Sequence, residues 1–121
     1  MARCGQPHAV EALTRKGRLT LEKVSVMFVV TLRFAANKAE ASRFMDAHNA
    51  WISRGFDDGV FLMTGSLRPS VGGALLANGV SRQDLEARVQ ADPFVANHVV
   101  TADIIEIAPG RTDARLAVLS A

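Results

Sequence analysis

The chain has a single cysteine, Cys4, so neither a disulfide framework nor a cysteine-based zinc site can be built within it. A reducing, cytoplasmic setting is the compartment this predicts. Long apolar runs are also missing. Arg33 interrupts the best candidate, residues 26–32, far short of the roughly 18–20 residues that span a bilayer, and no membrane partner is expected. The opening stretch MARCGQPHAVEALTRKG is basic but has no central apolar segment and no small-residue cleavage site, so it does not read as a secretory signal.

Several chemical signatures are absent as well. Gly72-Gly73 is too short to cradle a nucleotide and no Gly-Lys-Ser/Thr follows it. No H-x-x-x-H, paired-cysteine or clustered-carboxylate spacing occurs near His48. No metal and no other cofactor is therefore expected. The positive charge is not gathered on a folded surface either. Residues 1–25 hold five basic and two acidic residues, a charge of +3, while residues 26–121 hold nine and ten, a charge of −1. The net +2 belongs to the N-terminal stretch, and nucleic acid is not an expected partner.

What remains is the composition of a folding globule, 49% apolar and 21% charged over 121 residues, which is one domain's worth of chain. Residues 1–25 contain Gly5, Pro7 and Gly17 and no sustained apolar period, so they read as an extension, loose or separately packed. Met27 stands where patterning begins, which leaves open a start there, a functional arm or an organellar presequence. The folded domain is read as residues 26–108, and residues 109–121 as a tail with no assigned element.

Within that domain VMFVVTLRF (26–34) is β-branched and aromatic and predicts a first strand. Asn37 is placed to cap a first helix, with Glu40 three residues on and Gly55 closing the pattern. Asp57-Asp58-Gly59 predicts a turn, VFLMTGSL (60–67) a second strand, and RPSVGG a connection into ALLA, giving a hairpin. Ser81 and Asp84 resemble a capping box before a second helix with Leu85 and Val89 inside. Asp92-Pro93 ends that helix, and VVTADIIEI (99–107) supplies the last strand. The order βαββαβ predicts an α+β, ferredoxin-like fold: a four-stranded antiparallel sheet with both helices on one face. The strands are apolar at consecutive positions, as in sheets covered on both sides. A second copy of the chain is the economical cover, so a homodimer is expected, with Val29 and Thr31 or their neighbours at the interface.

Helix one carries an apolar stripe at Ala41, Phe44, Met45, Ile52 and Gly55, and His48 falls inside it. Asp92 continues the inner line of helix two, three residues beyond Val89. An imidazole and a carboxylate thus both point towards the sheet, where they can act as a proton-transferring pair, the carboxylate fixing the tautomer of the ring. The plainer readings stand beside this. A lone histidine in an apolar stripe can be a core residue bonded to a carbonyl, and Asp92 before Pro93 is an ideal helix cap. Ser66, His98 and Arg68 are candidate ligand-binding residues, with turn capping, an exposed turn and a solvated cation as their respective alternatives. Arg33 is a similar candidate for an anion.

The blocks AHNAWISRGFDDGVFLMTGSL and ADPFVANHVV, with a Gly-Gly hairpin strand between them, resemble the YciI-like (YCII-related) family over about residues 26–108. His48, Gly55, Gly65 and Asp92-Pro93-Phe94 match its positions, while Ser66 stands where proline is frequent and Asn97 where glycine is frequent. The resemblance implies a dimeric α+β barrel in which the histidine and the aspartate line a pocket as a catalytic pair, and a few members act on hydroxylated aromatics. Cofactor-independent monooxygenases and muconolactone isomerases are neighbours by fold analogy. Two functions are therefore carried forward. One is a small-molecule enzyme of lyase, isomerase or hydrolase type acting through His48 and Asp92 on a hydroxylated aromatic or lactone. The other is a non-catalytic ligand-binding or assembly module in which the pair is structural.

Overall fold

The computed structural model describes residues 10–13, 19–22 and 26–120, with side chains over 26–117; Cys4 and the basic residues Arg3, Arg15, Lys16, Arg18 and Lys23 lie outside the described residues. The chain forms two compact units, Phe28–Glu106 and, separately, Met1–Met27 with Ile107–Ala121. In the second of these, Val10–Leu13 (β1) and Leu19–Glu22 (β2) pair antiparallel, Leu13 opposite Leu19. Four-residue strands are too short to show a period, which is why no element was legible there. The tail, to which the sequence assigns no element, contains a 3-10 segment, Ala114–Ser120, kinked at Leu116. Before it, the guanidinium of Arg115, and then its backbone N–H, hold the Asp113 carboxyl below the usual carboxylate range.

The unit Phe28–Glu106 carries the βαββαβ order. Its strands are β3 (Met27–Phe34), β4 (Phe61–Leu67), β5 (Gly72–Asn78) and β6 (Val100–Ile107); its helices are α1 (Ala41–Asp57), α2 (Arg82–Gln90) and the single turn α3 (Pro93–Ala96). The sheet runs β4-β5-β3-β6, the antiparallel ferredoxin-like arrangement with β5 and β3 central. In β3, Phe28, Val30 and Leu32 are buried while Met27, Val29 and Thr31 between them are half-buried. The edges differ: Met63 on β4 and Ile105 on β6 are each 52% exposed.

Three local expectations are corrected. Asn37 makes no side-chain cap; a 3-10 turn, Lys38–Glu40, precedes α1, and the Asn37 amide donates to the Asn97 carbonyl at 2.9 Å, joining this turn to the end of α3. Gly55 does not end α1, which runs on to Asp57. Gly55 is buried inside the helix because any Cβ there would run into the ring of Phe61. The buried face of α1 is His48, Trp51 and Gly55, while Met45, assigned to the inward stripe, is 41% exposed. Trp51 is the residue the stripe omitted. It packs edge-on to Phe61 at 5.1 Å between ring centres, and its Nε1 donates to the Arg88 carbonyl at 3.0 Å, which ties α1 to the last turn of α2. Arg88 reaches back to Asp58 at 2.9 Å.

The second helix starts as its sequence predicts. Ser81 Oγ accepts from the Asp84 N–H at 3.0 Å, and Leu85 and Val89 are buried. The hairpin β4–β5 contains an irregularity with consequences for the site. Phe61 lies opposite Ala77 but Met63 lies opposite Leu76, so Leu62 is an extra residue and the alternation resets. After this bulge Thr64 and Ser66 pair with Leu75 and Gly73, on the same sheet face as buried Ala77 and Leu75. Gly72, at φ 146°, opens β5 hard against β3, where a side chain would strike the Leu32 carbonyl.

Candidate functional site

His48 sits at the border between the buried face of α1 and a second stripe, Met45, Asn49 and Ile52, that faces a cavity between α1 and the sheet. Its ring stacks on Phe94, 4.0 Å between centres and 5° from parallel, and lies 5.9 Å from Trp51. Its Nδ1 is 2.7 Å from Asp92 Oδ1, and His48 is 8% exposed while Asp92 is fully buried. The contact joins residues 44 apart in sequence because α1 and α3 pack together beside the sheet.

Asp92 caps α3, with Pro93 in its first turn, and Oδ1 accepts the Phe94 N–H at 3.0 Å. One carboxyl oxygen thus serves both the helix start and the imidazole. Since Oδ1 is an acceptor towards Phe94, the proton of the His48 contact is assigned to Nδ1, which donates. Nε2 has no hydrogen-bond partner among the described residues and is the ring nitrogen left for a ligand. Asp92 Oδ2 is buried without a protein partner. A cap needs one oxygen, and serine or asparagine would supply it, so the second carboxyl oxygen is more than capping alone requires.

The cavity holds about 330 Å³ and is lined by His48 and Phe94 but not by Asp92 or Trp51. Its walls are mainly apolar, with Leu32 and Phe34 of β3 and Leu75 of β5 among them. Polar side chains enter from two directions: Asn49 from α1, and Thr64 and Ser66 from β4. Thr64 Oγ1 is engaged with the Ala74 carbonyl at 3.3 Å.

Of the residues singled out in the sequence, His48 and Asp92 are brought into contact and Ser66 lines the same cavity. His98 and Arg68 do not line it. His98 occupies an exposed turn at φ 61°, where its carbonyl accepts from the Asn37 N–H at 3.0 Å. Arg68 and Arg33 are exposed. Asn49 and Phe94's stacking were missed, because a polar residue one place after a candidate histidine gives no periodic signal. Among the described residues no group of three or more His, Cys, Asp or Glu could hold a metal ion, and no helix is long and apolar enough to cross a membrane.

No protein-family model matches the chain, and no curated protein matches its sequence. The chain path does have solved counterparts. The 5-chloro-2-hydroxyhydroquinone dehydrochlorinase TftG from Burkholderia phenoliruptrix AC1100, in complex with 2,5-dihydroxybenzoquinone, matches with a TM-score of 0.55 over 72% of this chain and 93% of its own, at 14% identity. The likeness is in the α+β, ferredoxin-like fold. Rv0793 from Mycobacterium tuberculosis is a more distant likeness (TM-score 0.47, 15% identity, 74% of this chain and 98% of that one). SnoaB, a cofactor-independent oxygenase from Streptomyces nogalater, is another (TM-score 0.42, 16% identity, 74% and 96%). At such identities the likeness concerns the fold alone.

Proposed function

We propose that this chain is a small-molecule enzyme of the YciI-like kind, in which His48 Nε2 takes a proton from a bound ligand and Asp92 orients the ring and stabilises the imidazolium that forms. The observation that carries the reading is the 2.7 Å contact between a fully buried carboxyl group and an imidazole at the wall of a cavity. A carboxylate bonded to one ring nitrogen fixes the tautomer and raises the basicity of the other, and a positioned base of this kind contributes about 10²–10⁴ in rate. Phe94 and Trp51 hold the ring plane, so little reorganisation is needed when the proton moves. The cavity is at the small end of the range for ligand sites, about 300–1,000 Å³, and suits a compact substrate.

The reaction class is a lyase, isomerase or hydrolase step begun by proton removal. TftG is a dehydrochlorinase of a chlorinated hydroxyhydroquinone, which makes hydroxylated and chlorinated rings the first compounds to try, with lactones next. We further read the protein as a homodimer packed through the outer sheet face, where Val29 and Leu76 are half-buried and Met63 and Ile105 exposed. The second reading, a binding module with a structural pair, is favoured by one observation: Asp92 caps α3 whether or not chemistry occurs.

The experiment is turnover of that compound panel by wild type, His48→Ala and His48→Gln, with circular dichroism to check folding. Glutamine retains a donor towards Asp92 while removing the base. Loss of about 10²-fold or more in both variants is expected. A His48→Gln variant that turns substrate over at the wild-type rate would overturn the role of His48 as the base, and binding of the panel by wild type without turnover would leave the binding-module reading in its place.

A further inference from the structure

Among the described residues that line the cavity beside His48 there is no Lys, Arg, Asp or Glu. Three hydrogen-bonding groups of the lining are unengaged: His48 Nε2, the Asn49 amide and the Ser66 hydroxyl make no hydrogen bond with any described residue. The arrangement has a direction. Asn49 comes from α1, one residue from His48, and Ser66 comes from the sheet, turned to this side by the bulge in β4. The remaining wall is carbon, with Phe34 and Phe94 rings and the Met45 thioether.

We infer that the site takes a neutral, ring-sized molecule with oxygen substituents, that the Asn49 amide binds one of those oxygens, and that anionic analogues, the carboxylates and phosphate monoesters of similar rings, are rejected. This rests on the proton-transfer reading and names the substrate class for it. Moving an anion from water to an apolar wall with no cation costs far more than one neutral hydrogen bond returns. A buried carboxyl group directly behind the imidazole adds to the penalty. A neutral hydroxyl meets neither cost. When its proton passes to Nε2, the O–H bond breaks and an N–H bond forms, so the oxyanion appears only next to the imidazolium made in the same step. The site therefore stabilises negative charge only as it develops, not in the incoming ligand. Asn49 can donate to that oxygen, or accept from a second hydroxyl, without carrying charge itself.

The test uses two probes differing by one carboxylate, hydroquinone and 2,5-dihydroxybenzoate, titrated at neutral pH into the full-length ¹⁵N-labelled protein. Wild type should bind hydroquinone, with shifts at the Asn49 side-chain amide, and bind the carboxylate at least tenfold more weakly. Asn49→Leu should weaken hydroquinone about 3–10-fold, the size of one net hydrogen bond, with Tm unchanged because Asn49 is exposed and makes no hydrogen bond with any described residue. Asn49→Lys supplies the missing cation and should reverse the preference. Equal or tighter binding of the carboxylate by wild type, an unaltered Asn49→Leu affinity, or no hydroquinone binding at millimolar concentration would each overturn the assignment. If the probes and the Asn49 variants behave as expected but His48→Gln retains full turnover, the catalytic reading falls and the ligand class stands.

Discussion

Replacing Asp92 separates its two duties. In Asp92→Asn the side-chain oxygen can still cap Phe94 and still accept from His48 Nδ1, whereas Asp92→Ala removes both bonds. The alanine variant loses a cap worth about 1 kcal/mol and leaves a buried ring N–H unpaired at about 1–3 kcal/mol, a total of about 2–4 kcal/mol. For a domain of roughly 60–100 residues, 1 kcal/mol shifts Tm by about 4–8 °C, so Asp92→Ala should melt about 8 °C lower or more. Asparagine keeps both acceptor contacts but gives up the charge and puts amide N–H donors where Oδ2 is buried without a protein partner, so its Tm should also fall, by no more than that of the alanine variant. Turnover should separate the variants in another way. Loss of the carboxylate removes the electrostatic support of the imidazolium in both, and each should lose about 10²–10⁴ in rate. Thermal melts and long-range ¹H–¹⁵N spectra of the His48 ring provide the assay, the spectra reporting which nitrogen carries the proton in the neutral ring. Wild type should show Nδ1 protonated and Nε2 bare. A wild-type ring protonated at Nε2, or an Asp92→Asn protein with full turnover, would refute the orienting role.

Two other perturbations probe the frame around the site. Gly55→Ala should destabilise by about 1–3 kcal/mol or more, although alanine is the better helix former, because its methyl would displace the Phe61 ring; thermal unfolding measures it, and an unchanged or higher Tm would mean that α1 and β4 are not in close packing there. Val29→Glu on the outer sheet face should convert a dimer to monomer in light scattering at micromolar concentration, while Arg54→Glu, exposed on α1 and so away from that face, should not; a monomeric wild type would end the dimer proposal.

Within residues 26–108 the sequence by itself determined the main elements and their order. Strand β3 shows in its β-branched run, and α2 in Ser81, Asp84, Leu85 and Val89, because caps and periodicity are local and act through backbone hydrogen bonds within a few residues. It also presented Asp92 as a cap before Pro93 and His48 as an inward-facing polar residue. That the two touch was decided in three dimensions, by α1 and α3 lying together, and no local spacing encodes a contact across 44 residues. Gly55 shows the same limit from the other side. A glycine near a helix end reads as a terminator from its conformational freedom, yet here its missing side chain is required by Phe61 on another element. The cavity depended most on tertiary structure. Strand alternation places Phe61 and Ser66 on opposite faces, and the extra residue at Leu62 puts them on the same one. A bulge is fixed by how β4 must fit both its neighbour strand and the helix above it, so the residues that line the site follow from packing rather than from parity along the chain.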